Sequence, residues 1–469
     1  MLSRSRRDRV EARIACFAAL PGLEEARHDR FGDIIGGKHM LERYFGLAEH
    51  GTTVRREILA GCTTFLTMAY IIFVNPQILG EAGMDKGAVF VATCLASALA
   101  TSIMALYANY PLALAPGMGL NAFFTFSVVK GMHYSWQVAL GAVFISGILF
   151  LILSVTRIRE WVVDAIPQSQ KLAISAGVGL FLSLIALHGA GVVQASPETM
   201  VTLGSLTAPS TLLAAAGFIL MVALDRRKVP GAIIIAILAT TAAGVLLGVS
   251  GFAGIASAPP SLAPTFLQLD LKGALAIGLV SIIFVFFFVD LFDNTGTLVG
   301  VAHRAGLIGK DGRIPRLNKA FIADSTATIV GSLLGTSTVT SYIESAAGVR
   351  AGGRTGLVGV VVAILFLLSL FLSPLAATVP AYATAPALLF VGCLMARGLA
   401  EVDWEDVTEY APAVVTAIAM PFTFSIANGI ALGFIAYAAV KLLSGQFAEA
   451  KPAVMILGIL FIVRFAVLP

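Results

Sequence analysis

The sequence predicts an all-α polytopic membrane protein of about fourteen transmembrane segments in a seven-plus-seven inverted repeat, with segments 3 and 10 part extended and part helical. Three observations carry this. Of 469 residues, 58% are hydrophobic and only 12% charged, where soluble domains average roughly 25% charged. Runs of about 20 apolar residues, enough to cross roughly 30 Å of hydrocarbon, recur along most of the chain after Arg56. Basic residues then fall on alternate loops, as short cytoplasmic loops require. Helices are the expected spanning element, because backbone groups in lipid must be paired within the segment.

Taken in order, residues 1–39 are different in kind. SRSRRDR and EEARHDRFGD alternate with short apolar pieces, and no apolar core is long enough for a signal peptide. This stretch reads as a disordered N-terminal tail or an over-long start, with Met40 opening an amphipathic lead-in to the first crossing. The apolar segments follow at 57–76, 87–108, 112–129, 134–156, 169–189, 209–225, 229–249, 273–300, 317–335, 337–349, 355–374, 382–398, 408–425 and 427–443. A last apolar stretch, 452–467, is either an extra short segment or an interfacial helix.

Arg55 and Arg56, Arg157 and Arg159, Arg226 to Lys228, the run HRAGLIGKDGRIPRLNK, Arg350 and Arg354, Arg397 and Lys441 all lie on one side of this arrangement. The opposite loops, such as GAGVVQASPETM and SGFAGIASAPPSLAPTF, carry almost no basic residues. The N-terminus is therefore expected in the cytoplasm. The net charge of +4 reflects this segregation and argues against a nucleic-acid partner. Cys16, Cys62, Cys94 and Cys393 are far apart and lack metal-ligand spacing, so neither a disulfide framework nor a metal site is expected, and no cofactor is implied.

Segment 3 contains YPLALAPGMGLNAFFTF and segment 10 contains GTSTVTSYIESAAGV. Each opens in an extended form, through Pro111 and Pro116 or through the β-branched run from Thr336, and then turns into a short helix. A corresponding pair of interrupted segments, seven apart, points to an inverted-repeat transporter with its site at the midplane.

The chemistry concentrates in FFFVDLFDNTG, Phe286 to Gly296. A charged carboxylate in hydrocarbon costs on the order of 3 kcal/mol, so Asp290 and Asp293 mark a cavity or a partner. Three residues apart, they share one face of a helix. A structural alternative has one of them capping a helix break near Asn294, Thr295 and Gly296. Glu344 has a structural alternative too, since Ser341 and Glu344 have capping-box spacing. Asn121 follows Gly117 and Gly119, and its amide offers a donor and an acceptor to a base edge or serves as interhelical glue. Phe123 and Phe124 are packing residues or a stacking surface. Asp324 reads as a structural hydrogen-bonding acid, and His133 and His188 as bystanders at loop ends.

With EHGTTVRREILAGCTTFLTMAYIIFVNP, LAPGMGLNAFF, FFFVDLFDNTGTLVGVA and GTSTVTSYIESAAGV in this order, the chain from about Met40 resembles the AzgA-like purine permeases of the nucleobase-ascorbate transporter superfamily. The resemblance implies a core domain of segments 1–4 and 8–11 (residues 40–156 and 271–376) and a gate domain of segments 5–7 and 12–14 (157–270 and 377–469). It places the purine contacts on Asp290, Glu344 and Asn121, and proton coupling or site support on Asp293. Members often have Thr where this chain has Asn294, which bears on fine substrate preference. The implied function is import of adenine, guanine or hypoxanthine across the inner or plasma membrane in symport with H⁺, or with Na⁺. The partners implied are the base, the cation and the bilayer, and a homodimer is left open. A uracil or xanthine carrier of the same architecture is the nearest alternative, and an intramembrane hydrolase built on the Asp pair is the alternative of another class. A desolvated carboxylate favours its protonated form, so it can take a proton on one side and release it on the other.

The orientation is testable by cysteine labelling. A cysteine at Gly309 is expected to be shielded from an impermeant thiol reagent applied outside, and one at Ser257 to react. The reverse pattern inverts the topology.

Overall fold

In the computed structural model the described residues are 37–156, 166–275, 280–307, 314–446 and 452–467. Packing divides the chain into Met1–Arg55 and Arg56–Pro469. The described part of the first unit contains the helix Gly37–Phe45, and what was expected of residues 1–36 lies outside the described residues.

Among the described residues nine helices are long and apolar enough to cross a membrane. Each of the fourteen expected segments falls on a described helix or strand–helix pair. Segment 1 is Val54–Met68 followed by Ile71–Gly80, broken at Ala69 and Tyr70. Segment 2 is Lys86–Ile103, started by Asp85, whose carboxylate accepts from Ala88 N at 2.7 Å. Segments 4 to 7 are Trp136–Thr156, Gln168–Gly189, Pro209–Arg226 and Ala232–Leu246. Segments 8 and 9 are Val280–Arg304 and Leu317–Leu334. Segment 11 begins at Leu357–Ser369 and continues in short turns to Thr378, and segments 12 to 14 are Ala381–Ala396, Val407–Phe422 and Ile426–Leu443. The stretch left open at the C-terminus is the helix Pro452–Val467, packed on segment 14. Its 16 residues reach about 24 Å at 1.5 Å per residue, short of a full perpendicular crossing.

The described residues hold four short strands: β1 Leu114–Pro116, β2 Val193–Ser196, β3 Met200–Leu203 and β4 Val339–Ser341. The β2–β3 hairpin lies in the loop after segment 5, where the sequence suggested only a loop. β1 and β4 are the extended parts of segments 3 and 10, as expected, and they pair antiparallel, Leu114 with Ser341, Ala115 with Thr340 and Pro116 with Val339. The helical parts are Met118–Ala122, running on to Gly131 as wider π turns, and Ser345–Arg350.

Segment 5 packs against 12 and 13, segment 13 against 14, and segment 6 against 7 and 12. Segment 4 packs against 8 and 9, and segment 2 against 1, 9 and 11. Small residues permit these approaches, as expected where lipid supplies no hydrophobic drive between helices. A Cβ on Gly177 would lie 3.0 Å from Ala417 Cα, and one on Gly392 would lie 2.5 Å from the Gly179 carbonyl oxygen.

Two buried charges join segments in ways the sequence did not announce. Glu57 accepts from Arg354 N at 2.8 Å, Thr355 N at 3.2 Å and Thr355 Oγ1 at 2.7 Å, which fastens segment 1 to the start of segment 11. Lys441, read from sequence as a topological mark, is fully buried, with Nζ 2.9 Å from Glu409 Oε1. Glu409 also accepts from Ser169 and Tyr437, so one ion pair ties segments 5, 13 and 14 together. A cation at this depth persists because its carboxylate and hydroxyl partners replace the lost water.

One of the two tightest backbone approaches among the described residues gives a test. A Cβ on Gly356 would stand 2.1 Å from the Ala105 carbonyl oxygen, an atom that cannot rotate away, whereas one on Gly300 meets nothing within 4 Å. Gly356→Ala is expected to cost about 1–3 kcal/mol or more, seen as a lower melting temperature of the purified protein, with Gly300→Ala close to wild type. Equal melting of the two variants would contradict the packing.

Candidate functional site

The candidate site is built around the β1–β4 pair. Gly117 N donates to Thr338 O at 2.9 Å and Tyr342 N to Ala113 O at 3.0 Å, so pairing continues past both strand ends. The far edge of β1 is closed by Thr101, whose hydroxyl accepts from Leu114 N at 2.9 Å and donates to Leu114 O at 3.0 Å. Glycines allow the approach: a Cβ on Gly117 would lie 2.6 Å from Thr340 Cγ2, and one on Gly331 of segment 9 would lie 2.5 Å from Val339 Cγ2.

Asn121 follows β1 and is fully buried. Its Nδ2 donates to Asn75 Oδ1 at 2.6 Å, and its Oδ1 accepts from Ser337 Oγ. Asn75 Nδ2 in turn donates to Thr93 Oγ1 at 2.7 Å and Thr336 Oγ1 at 2.9 Å. The amide thus joins segments 1, 2, 3 and 10, the interhelical role weighed for it. Phe123 and Phe124 are likewise buried, with Phe123 edge-on to Phe286, and serve as packing residues.

Segment 8 runs unbroken from Val280 to Arg304, so neither acid caps a helix break. The two acids have different surroundings. Asp290 is fully buried. Its Oδ1 accepts from Asn294 Nδ2 at 2.6 Å, and Thr328 Oγ1 lies 3.3 Å from its Oδ2 and 3.0 Å from the Val339 carbonyl oxygen. Asn294 Oδ1 then accepts from Thr340 Oγ1 at 2.6 Å and from Ser341 N at 2.8 Å. The Asp290–Asn294 pair, one helical turn apart, therefore clamps β4 onto segment 8. Asp293 is only half-buried and lies within electrostatic reach of Glu344 and Tyr342. Beyond it, a Cβ on Gly296 or Gly300 would meet nothing within 4 Å, so this face of segment 8 borders open space.

Glu344 is half-buried at the start of the helix Ser345–Arg350. The capping box expected of Ser341 and Glu344 does not form. Glu344 is itself the N-cap, its side chain makes no cap bond, and Ser341 Oγ donates instead to Asp324 Oδ1 at 2.8 Å. Asp324 thus has the structural role expected, bonded to the extended part of segment 10. Glu344 Oε1 accepts from the Tyr70 hydroxyl at 2.6 Å, and the Tyr342 hydroxyl donates to Pro116 O at 2.6 Å.

Of the four residues singled out from sequence, Asp293 and Glu344 are half-buried and within electrostatic reach of one another. Asp290 and Asn121 are fully buried and hold the strand crossing in place. Sequence reasoning passed over Tyr70, Tyr342, Asn75 and Thr328; Tyr70 and Asn75 lie inside the quoted motif TMAYIIFVNP, but nothing local marks either as a partner of segment 10. The clamp is testable: Asn294→Ala removes the one oxygen that accepts from both Thr340 Oγ1 and Ser341 N and takes the Asn294 donor from Asp290, leaving buried polar groups unmet at about 1–3 kcal/mol. The expected outcome is a marked fall in thermal stability together with transport, whereas Asn294→Ala melting like wild type would remove the clamp from the account.

The chain is similar to known permeases over most of its length. The Permease family profile (Xan_ur_permease) matches residues 55–432. The adenine permease AdeP of Escherichia coli (strain K12) is 51% identical over 428 residues, covering 91% of this chain and 96% of the relative. The guanine/hypoxanthine permease PbuG of Bacillus subtilis (strain 168) is 45% identical over 437 residues, covering 91% and 99%. Among solved structures, the transmembrane domain of a cyanobacterium bicarbonate transporter, BicA, superposes with a TM-score of 0.61 at 19% identity over 78% of this chain and 96% of that one, a likeness of fold. These relatives are transporters, which removes the intramembrane hydrolase alternative. With its strand crossing between two interrupted segments and its many apolar helices, this chain belongs to the Permease family of multi-pass membrane transporters.

Proposed function

We propose that the protein is a secondary active transporter that imports purine nucleobases, adenine, guanine or hypoxanthine, in symport with a cation, H⁺ in the first place. The observation that carries this reading is the pair Asp293 and Glu344, two half-buried carboxylates on segments 8 and 10 within electrostatic reach of one another near the β1–β4 crossing. Carboxylates accept hydrogen bonds, and purines carry ring and exocyclic N–H donors that match them. Paired acids repel an anionic substrate in a low dielectric, so a neutral base fits the site better. The curated relatives named as adenine and guanine/hypoxanthine permeases support the same class of cargo.

In this proposal Asp293 and Glu344 touch the base. Asp290, first in line from sequence, is assigned instead with Asn121 to holding the frame, because its oxygens are engaged by Asn294 and Thr328. A proton taken up by one of the two acids relieves their repulsion and travels with the base, which couples cargo to the proton gradient.

Segments 1–4 and 8–11 act as the core domain that carries the base, and segments 5–7 and 12–14 as the gate domain against which it moves. At the end of the molecule away from the basic loops the two are bound together. Gln77 Nε2 donates to Val379 O at 2.6 Å, Thr384 Oγ1 donates to Gln77 Oε1 at 2.7 Å, and Ser127 Oγ donates to Phe424 O at 3.2 Å. The open face beside Gly296 and Gly300 leads toward Arg304, on the basic side. On this reading, with the basic loops in the cytoplasm, the bound end is the outer one and the open face looks inward.

Uptake of labelled hypoxanthine into proteoliposomes, with and without a protonophore, tests the class and the coupling. Asp293→Asn and Glu344→Gln each remove the charge on an acceptor, and a hydrogen bond to a charged group is worth about 1.5–3 kcal/mol. Each is expected to weaken purine affinity about ten- to a hundredfold while the protein still inserts, whereas Asp290→Asn is expected to lower the yield of folded protein more than the affinity. Near-normal binding by both Asp293→Asn and Glu344→Gln would overturn the site.

A further inference from the structure

Tyr70 occupies the break in segment 1, between Val54–Met68 and Ile71–Gly80, with its ring buried. Its hydroxyl donates to Glu344 Oε1 at 2.6 Å. Apart from the backbone amide of Glu344 itself, this is the only donor to that carboxylate among the described residues. Glu344 is nevertheless only half-buried, and Asp293 lies within electrostatic reach of it. One lone pair of Oε1 is thus taken by the protein and the rest of the carboxylate's acceptor capacity is left for a ligand.

We propose that Tyr70 is a specificity-determining residue, which competes for Oε1 of Glu344 and so disfavours acceptance of two parallel N–H groups of a purine over acceptance of one. This rests on the reading of Glu344 as a purine contact. Guanine presents N1–H and its 2-amino group next to each other on one edge, a pair that a carboxylate with both oxygens free accepts in parallel, as it accepts the two N–H groups of a guanidinium. Hypoxanthine has the same N1–H and no 2-amino group. With one lone pair of Oε1 held by Tyr70, the second donor of guanine meets an already engaged, weaker acceptor, and the carboxylate discriminates less between the two bases.

The backbone break allows this geometry. An uninterrupted helix would carry its side chains past the strand crossing on its own period, whereas the turn at Ala69 and Tyr70 delivers one phenol hydroxyl to the N-terminus of the helix in segment 10. The hydroxyl also fixes which way Glu344 points, so its removal acts on orientation as well as on the free acceptor capacity of Oε1. Only the second effect discriminates between the bases.

The test compares guanine and hypoxanthine as competitors of labelled hypoxanthine in wild type, Tyr70→Phe, Glu344→Gln and the double variant. The expected result is that Tyr70→Phe, whatever it does to both affinities, shifts the ratio of inhibition constants toward guanine about tenfold or more, the worth of one added hydrogen bond to a charged acceptor. That shift is expected to vanish in the Glu344→Gln background. Parallel weakening of both bases with an unchanged ratio means that Tyr70 only supports the fold, and overturns the proposal. If Glu344→Gln leaves purine affinity intact, the reading of Glu344 falls and Tyr70 with it, an outcome distinct from the first. Tyr70→Met, which also lacks the hydroxyl, serves if the phenylalanine variant cannot be purified.

Discussion

The rest of the structure depends on the need to satisfy extended backbone away from water. Segments 3 and 10 leave the helical state in the middle of an apolar protein, and an unpaired peptide group there costs several kcal/mol. Each segment is the other's solution. β1 and β4 pair with one another, and what the pairing leaves open is met by Thr101, Ser345 and Asn294. Because one strand comes from each half of the chain and the two run antiparallel, the same bonds that satisfy the backbone also join the halves at one point. The two short helices consequently leave the crossing from its opposite ends.

The acids divide along the same line. Those behind the strands are spent on structure: Asp290 through Asn294 and Thr328, and Asp324 through Ser341. Those in front, Asp293 and Glu344, keep acceptor capacity toward the open face. Neighbouring positions on one helix therefore have different roles, since a three-residue step turns a side chain by about 60° less than a full circle, enough to move it from the strand interface to the open face. Asn294 belongs with the first group. Its amide spans from Asp290 to the backbone of Ser341, so it bears on the frame more directly than on the base.

Much of the fold could be read from residues. Apolar run length located the crossings, because hydrocarbon thickness fixes the number of residues needed, and Pro116 and the β-branched Val339 and Thr340 marked where helices would give way to strands. The carboxylates near the site were legible for a related reason: an acid in a phenylalanine run is too costly to be incidental. The capping box of Ser341 and Glu344 misled, since the same spacing is compatible with Ser341 bonding across to Asp324, and only the position of segment 9 decides between them. Lys441 misled in the same way. A lysine at the end of an apolar run looks like a loop charge until Glu409, Tyr437 and Gln446 are brought around it.

What the sequence determined by itself was set by local quantities: helix length against membrane thickness, charge alternation between loops, the extended character of two segments, and the presence of acids that demand partners. What only the tertiary structure decided was which partner each acid has. Tyr70 and Glu344 are separated by 274 residues, and Asn121 and Ser337 by 216. No periodicity or spacing encodes such pairs. They arise where two interrupted segments cross and the buried polar groups of four others converge to replace the water that the fold has excluded.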